Sequence, residues 1–279
     1  MLTIARLTFL EARRRRIVPA ALLCGAVFLA VYGTAIYFIH QSSLSGNGRS
    51  APLDATRVHM QLESLTLAGL YVVNFLAIAV AILLPVDTLS GEIASGVMQT
   101  IASKPIRRAE ILLGKWLTYV LMTAGYLLIM AVGILALVFV ITGQAQPHAG
   151  AALALMLLGA VVMLTITMAG GVRLTTITNG IVAFGFYGLA FIGGWVEQIG
   201  AFTQNGAARY IGTAISLVSP SDTLWRRAAY ELEPPIMRDL QLTPFASASV
   251  PSDAMIFWAA GFVAVVLALA IHAFRRRPL

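Results

Sequence analysis

Residues 116–141 read WLTYVLMTAGYLLIMAVGILALVFVI and contain no charged side chain. A helix needs about 20 apolar residues to cross the hydrocarbon core of a bilayer, which is roughly 30 Å thick. This stretch meets that length, so it predicts a transmembrane helix.

Five further stretches of the chain share this character, and none of them contains Asp, Glu, Lys or Arg. The six together predict an all-α membrane protein that forms a single domain over residues 1–279. Glycines dilute the fifth of the six spans, a composition that favours close contact between helices over contact with lipid. The other five predicted spans are 17–39, 65–86, 149–170, 177–196 and 254–274.

The composition of the whole chain agrees with a membrane protein. Its 279 residues are 59% hydrophobic and only 11% charged, with a mean hydropathy of +0.85. A soluble domain has about 25% charged residues. Cys24 is the only cysteine and lies within the first span, so the sequence offers neither a disulfide framework nor the cysteine spacing of a zinc site.

The distribution of basic residues predicts the orientation of the chain. Cytoplasmic segments of membrane proteins carry an excess of Lys and Arg. Thirteen of the 19 basic residues fall in segments 1–16, 87–115, 171–176 and 275–279. We therefore expect a bacterial inner-membrane protein with both termini in the cytoplasm. The net charge of +7 is then a signal of topology, and we expect no binding to nucleic acid.

The residues before the first span mix apolar and basic positions and end in the cluster Arg13–Arg16. They predict an interfacial N-terminal helix. The following apolar run continues to Ile39, which is longer than the apolar region of a signal peptide, and five more spans come after it. We therefore expect the first span to be retained in the mature protein.

The predicted cytoplasmic segment 87–115 is too long to be only a connector. Ile93, Val97 and Ile101 recur every four residues, which predicts a short helix with one apolar face. Pro105 would end it, because the residue before a proline is disfavoured in the α conformation. Such a helix could lie on the membrane, dock a partner protein or remain a solvated loop helix.

The predicted external segment 197–253 also contains helical signals. Its apolar part, 207–218, is too short to cross the membrane and predicts a re-entrant or interfacial element. Ser221 is a candidate N-cap for the next helix. Trp225, followed by Arg226 and Arg227, has the pattern of an anchor at the membrane–water interface, with contact to substrate as the alternative.

Several kinds of chemistry have no motif in this sequence. Its four His are scattered without the spacing of metal ligands, and no nucleophile–base motif occurs. Gly114-Lys115 lacks both the first glycine and the following Ser/Thr of a phosphate-binding loop. The spans lack ionisable residues apart from His272, so proton coupling is disfavoured. Sodium coupling stays open, because Thr and Asn side chains crowd residues 165–179.

Two motifs make the sequence more specific. Glu92-x3-Gly96 is followed by Lys104-Pro105-Ile106-Arg107-Arg108 and by the run Ile111–Lys115. The second motif joins Leu217-Val218-Ser219-Pro220 to Leu224-Trp225-Arg226. In order and spacing they resemble the coupling helix and the external re-entrant element of type-2 ATP-binding-cassette exporter permeases. The resemblance covers essentially the whole chain.

The resemblance implies a membrane subunit without catalytic residues, cofactor, metal or ATP site of its own. Two six-span subunits would associate, as a homodimer or with a close relative, and each would bind one of two separate ATP-binding-cassette ATPase subunits. Membrane lipid would surround them. The cytoplasmic coupling helix would lie between spans 2 and 3, and external re-entrant helices would lie between spans 5 and 6.

The same resemblance implies roles for particular residues. Glu92 would be a polar anchor to the ATPase, and the substrate would pass between the two subunits along spans 1, 2 and 5. The implied ATPase-coupling residues are Glu92, Ile93, Gly96, Val97, Ile101, Lys104, Pro105, Arg107 and Arg108. The implied substrate-path residues are Asn74, Gly185 and Gly188, and those of the external interface are Pro220, Trp225 and Arg226.

Two other functions remain open at this point. The chain could be a membrane anchor or sensor subunit that transports nothing, or it could be a sodium-coupled carrier that needs no ATPase. The apolar spans favour an amphipathic or lipid-like substrate over a hydrophilic one, but the sequence does not identify it.

Overall fold

A computed structural model describes residues 2–45, 52–96, 107–143, 146, 148–233 and 250–277, and every regular element among them is an α-helix. In chain order these helices are α1 (Leu2–Arg14), α2 (Ile17–Ser45), α3 (Pro52–Leu83), α4 (Thr88–Ala94), α5 (Arg108–Thr142), α6 (Ala149–Gly171), α7 (Thr176–Phe202), α8 (Gly206–Val218), α9 (Ser221–Leu232) and α10 (Asp253–Arg276).

The predicted all-helical architecture is confirmed. Six of these helices are long and apolar enough to cross a membrane, namely α2, α3, α5, α6, α7 and α10. Four of them, α3, α5, α7 and α10, extend past the predicted limits and include charged residues. The extensions of α5 and α7 enter the candidate site. α5 begins at Arg108 instead of residue 116, and α7 continues to Phe202 beyond Glu197. Both extensions have a physical reason, because the added charges are paired inside the protein, as described below.

The centre of the bundle is α6. Its sequence is apolar on every side, a composition typical of a helix that is buried all round. It packs against α3, α5, α7, α9 and α10. A Cβ added at Gly159 would lie 3.4 Å from the carbonyl oxygen of Ser221. The absent side chain therefore allows the start of α9 to approach the middle of α6 closely.

Two short helices, α8 and α9, follow α7. α8 turns back along α7 at close range, because Cβ atoms are absent at Gly200 and Gly212. α9 then crosses to α6. The structure corrects one detail here: Ser221 is not the N-cap of α9. Pro220 holds that position, and Ser221 is the first helical residue, with its hydroxyl buried.

The helix after the second span is shorter than predicted. α4 ends at Ala94, and Gly96 adopts the left-handed conformation with φ +75°, a common way for a helix to end. Of the three apolar positions predicted for this helix, Ile93 lies in α4, and the prediction that Val97 and Ile101 share its face stays a prediction. Val97 and Ile101 lie outside the described residues, as do Lys104 and Pro105.

Candidate coupling site

A turn at residues 84–87 separates α3 from α4. Thr88 and Leu89, the first residues of α4, are completely buried. The Thr88 hydroxyl lies 2.5 Å from the hydroxyl of Tyr119 in α5, which is also completely buried. The first turn of α4 therefore lies in the protein core.

A buried ion pair joins α4 to the start of α5. The ammonium group of Lys115 donates to Oε1 of Glu92. Lys115 is 3% exposed and Glu92 is 9% exposed. Burying two charges is costly unless they are paired with good geometry, so each residue depends on the other. The Glu92 Oε2 atom is also buried, and it has no hydrogen-bond partner among the described residues.

The position of Glu92 bears on the role expected of it. Its side chain points into the chain and already engages Lys115, so it does not present a free carboxylate to another subunit. The structure therefore places Glu92 in a contact within the chain, and its predicted role as an anchor to an ATPase stays a prediction. Its position in α4 still makes it part of the link between this helix and the third span.

The start of α7 is tied to the same turn. Thr176 donates a hydrogen bond to Asp87 at 2.7 Å, and its hydroxyl lies 2.9 Å from that of Ser90. Asn179 donates through Nδ2 to the carbonyl oxygens of Val86, at 3.2 Å, and of Thr167, at 3.0 Å. Residues 86–90 are therefore held by α7 as well as by α5.

The C-terminal helix closes the other side of this region. Arg108 Nη1 donates to the carbonyl oxygens of Phe274, Arg275 and Arg277, the last at 2.6 Å. Arg277 in turn donates to the carbonyl oxygen of Val172. Arg108, which the resemblance implies as an ATPase-coupling residue, has its guanidinium bound to carbonyl groups at the end of α10. Arg107 is exposed.

We call this set of contacts the coupling layer. It joins α4 and the turn before it to α5 and α7, and it joins the start of α5 to the end of α10. Its members are Val86, Asp87, Thr88, Ser90, Glu92, Arg108, Lys115, Tyr119, Thr176, Asn179 and Arg277.

A cleft of about 340 Å³ opens next to the coupling layer, between α4 and the turn from α6 to α7. Ile93 lines one wall, and Arg173 and Leu174 line the other. Beside it, Ser95 is an exposed side chain at the end of α4. The cleft combines apolar walls with two guanidinium groups, those of Arg173 and Arg277. Such a cleft suits a partner surface that carries an apolar side chain and a carboxylate.

The hydroxyl groups that kept sodium coupling open are engaged within the protein. Thr165 donates to the carbonyl oxygen of Val161 at 2.7 Å, and Thr167 donates to that of Met163 at 2.8 Å. Trp116 donates to the Thr165 hydroxyl at 2.9 Å. Within the described part of the chain, no group of three or more His, Cys, Asp or Glu could hold a metal ion.

The residues predicted for the external interface are buried. Trp225 is 5% exposed, and its ring packs on Tyr71 of α3 with 5.3 Å between centroids. Arg226 is 3% exposed and pairs with Glu197 at 2.9 Å and with Asp222 at 3.1 Å. Pro220 is buried beside them. The structure thus places all three residues inside the chain, and their predicted role at the external interface stays a prediction.

The Arg226 cluster holds α7, α8 and α9 together. Glu197 is in α7, Ser216 of α8 lies 3.4 Å from the Arg226 guanidinium, and Asp222 is in α9. Burial raises the pKa of Asp222 to about 6, although Arg226 acts in the opposite direction. Three helices meet at one buried guanidinium, which explains why the charge of Glu197 is tolerated near the end of a spanning helix.

The predicted substrate-path residues occupy different environments. Asn74 is buried within α3. Gly185 and Gly188 lie on α7, where a Cβ at either position would meet open space within 4 Å. These two glycines therefore do not mediate the helix packing in the chain, in contrast to Gly193, where a Cβ would lie within 2.7 Å of the Ile215 Cβ.

Comparison with known proteins agrees with this architecture. The sequence model of the ABC-2 family transporter protein matches residues 2–279. The chain therefore belongs to the ABC-2 transporter family, whose members are membrane permeases of ATP-binding-cassette transporters. No curated protein matches the chain.

Proposed function

We propose that this chain is the membrane-spanning permease subunit of an ATP-binding-cassette exporter in a bacterial inner membrane. A separate ATPase subunit on the cytoplasmic side would supply the energy. The observation that carries the proposal is the coupling layer, because it connects the short helix α4 and the turn before it to α5 and α7 through polar contacts that are mostly buried.

The coupling layer gives a physical route for force. A push on α4 would be transmitted to α5, because Thr88 and Glu92 of α4 are buried and bonded to α5. Movement of α4 would therefore carry the start of α5 with it, and Thr176 and Asp87 would carry the start of α7. Rigid-body shifts of packed helices are a known way to convert a local contact into a change of access across a membrane protein.

The contact with the ATPase would be made by the surface beside the coupling layer. We infer that the exposed end of α4, with Ile93, Ser95 and Gly96, forms this surface together with Arg107 and the cleft next to it. Arg173 and Arg277 would attract carboxylates on the ATPase. Glu92 would act indirectly, by fixing the position of α4.

The transporter would contain two such subunits, and the substrate would pass between them along α2, α3 and α7. The open space at Gly185 and Gly188 supports a role for this face of α7 in contact outside the single chain. An amphipathic substrate fits the apolar side chains exposed on the same helix, which include Ile181 and Leu189.

The test is recovery of an ATPase subunit with tagged chain from native membranes in mild detergent. Ser95→Arg places a bulky charge on the proposed contact surface without disturbing a buried group. Ser252→Arg makes the same change at an exposed position at the start of α10. We expect an ATP-binding-cassette ATPase to be recovered with the wild type and with Ser252→Arg, and not to be recovered with Ser95→Arg. Equal recovery with both variants would refute the proposed contact surface.

A further inference from the structure

A groove of about 340 Å³ lies between α2 and α5, and none of the residues that line it belongs to the coupling layer. Its floor is formed by Val80 of α3 and by Leu84 just after α3, which are both buried. Its rims are formed by Leu22 of α2 and by Leu121 and Ile129 of α5, which are exposed. The groove is therefore open sideways, toward the medium that surrounds the spanning helices.

The inside of the groove is apolar and has room for a chain of hydrocarbon. From Leu121 to Ile129 it follows α5 for about 12 Å, at roughly 1.5 Å per residue. Gly125 lies midway, and a Cβ there would meet nothing within 4 Å. The hydroxyl of Tyr126, which also lines the groove, already donates to the carbonyl oxygen of Ala21 at 3.3 Å. The volume lies within the usual range of ligand pockets, about 300–1,000 Å³.

One end of the groove is closed by α1, which brings the positive charge of Arg13 to this end. Phe9 and Arg13 line this end. Arg13 is exposed, and no carboxylate pairs with it in the part of the chain that the structure describes. Its neighbour Arg15, in contrast, pairs with Glu11 at 2.6 Å and contacts Asp87 at 3.8 Å.

The position of Arg13 relative to the bilayer follows from the helices. Arg13 lies at the end of α1, just before α2 begins at Ile17. α2 is a spanning helix, so Arg13 lies where the apolar span meets the headgroup region. A guanidinium at that level attracts anionic headgroups. Below it, the groove runs toward the middle of the bilayer.

We propose that this groove is a binding site for one anionic phospholipid of the leaflet that contains α1. The phosphate binds Arg13, and one acyl chain fills the groove past Gly125. The ligand would join α1 to α2 and α5 from the lipid side. The site is separate from the coupling layer, so it stands whether or not the proposed ATPase contact is correct.

The proposal is tested by native mass spectrometry of the full chain, purified in detergent and incubated with phosphatidylglycerol or with phosphatidylcholine. Wild type should retain one phosphatidylglycerol in preference to phosphatidylcholine. Gly125→Leu fills the groove and should abolish this retention, whereas Gly261→Leu, at another open glycine on α10, should leave it unchanged. Arg13→Ala should weaken phosphatidylglycerol binding about fivefold, since one basic residue near an anionic surface contributes about 1 kcal/mol. Arg16→Ala is the matched control.

Three results would overturn the proposal. The first is equal retention of the two lipids by wild type, which would show that no charge is recognised. The second is unchanged retention by Gly125→Leu and Arg13→Ala, which would place the lipid elsewhere. The third is the loss of a dimer in Gly125→Leu, which would show that a second copy of the chain occupies the groove. Inorganic phosphate is a further probe: displacement of the lipid by millimolar phosphate would indicate a site for free anions.

Discussion

Replacing Lys115 by methionine tests the buried ion pair of the coupling layer. Methionine keeps the approximate length of the side chain but removes the ammonium group. The carboxylate of Glu92 would then be left buried without its partner, and its Oε2 atom already lacks a hydrogen bond within the described residues. Breaking a buried pair in this way costs about 3–5 kcal/mol, against about 0.2–1 kcal/mol for an exposed pair.

The cost is large enough to measure by thermal unfolding. For a protein somewhat smaller than this one, about 1 kcal/mol shifts the midpoint by about 2–4 °C. Lys115→Met should therefore lower the apparent Tm by about 10 °C. The assay is intrinsic fluorescence on heating in detergent at a fixed scan rate, since unfolding of such proteins is often irreversible. The four Trp provide the signal.

Two further variants make the result interpretable. The double variant Glu92→Leu, Lys115→Met replaces the pair by apolar groups and should recover most of the lost stability, because such replacements are often neutral. Glu11→Gln removes the partner of Arg15 in a more exposed pair and should shift the midpoint little. A Lys115→Met shift no larger than that of Glu11→Gln, or a double variant less stable than either single one, would refute the account of this pair.

Three other predictions concern contacts between helices. Gly212→Ala should lower the free energy of unfolding by about 1–3 kcal/mol, because its Cβ would lie 2.7 Å from the backbone nitrogen of Glu197. Gly185→Ala, where the Cβ would meet open space, should not lower the apparent Tm. Equal midpoints for the two variants would contradict the close packing of α7 and α8. Asp222 has a pKa raised from 3.8 to about 6, so its folded form keeps a proton that the unfolded chain loses, and stability should fall as pH rises from about 4 to 6. Asp222→Asn should remove that part of the pH dependence of the apparent Tm, and an unchanged slope would show that this carboxyl is not buried. Asn179→Ala should lower the apparent Tm by more than Thr178→Ala does. The reason is that Asn179, unlike Thr178, donates to the backbone carbonyl oxygens of Val86, in the turn before α4, and of Thr167 in α6. Similar Tm values for the two variants would argue against that link.

The sequence predicts the number of spans because six apolar runs are each long enough to cross a bilayer. It is less accurate at the ends of α5 and α7, because a charged residue does not end either of these helices. Lys115 and Glu197 lie inside these helices because their charges are matched by Glu92 and by Arg226. Such pairing between distant segments is not visible in a local apolar pattern.

The candidate site shows the same limit. The motif around Glu92 contains Lys115, but the motif by itself does not show that the two side chains meet. A signal was available: a lysine at the edge of an apolar span needs a counter-charge, and Glu92 precedes it in the same segment. Tyr119, Thr176 and Asn179 could not have been assigned, because their contacts depend on how α4 and α7 pack.

The Arg226 cluster was missed for a related reason. Trp225 and Arg226 have the composition of an interface anchor, but Asp222 precedes Arg226 by four residues, which is the spacing of an ion pair within a helix. That pair could have been predicted. The third partner, Glu197, belongs to another helix, and its approach depends on the turn between α7 and α8.

The most direct test of the central claim is site-specific cross-linking from α4 to the ATPase. In a Cys24→Ser background, which removes the only cysteine, Ser95→Cys carries a photoactivatable thiol label in native membranes. The account predicts an ATP-dependent cross-link from Ser95→Cys to an ATP-binding-cassette ATPase subunit, and none from Ser252→Cys at the start of α10. A labelled Ser95→Cys that cross-links to no ATPase, while the subunit is present in the membranes, would contradict the claim that α4 couples this chain to ATP hydrolysis.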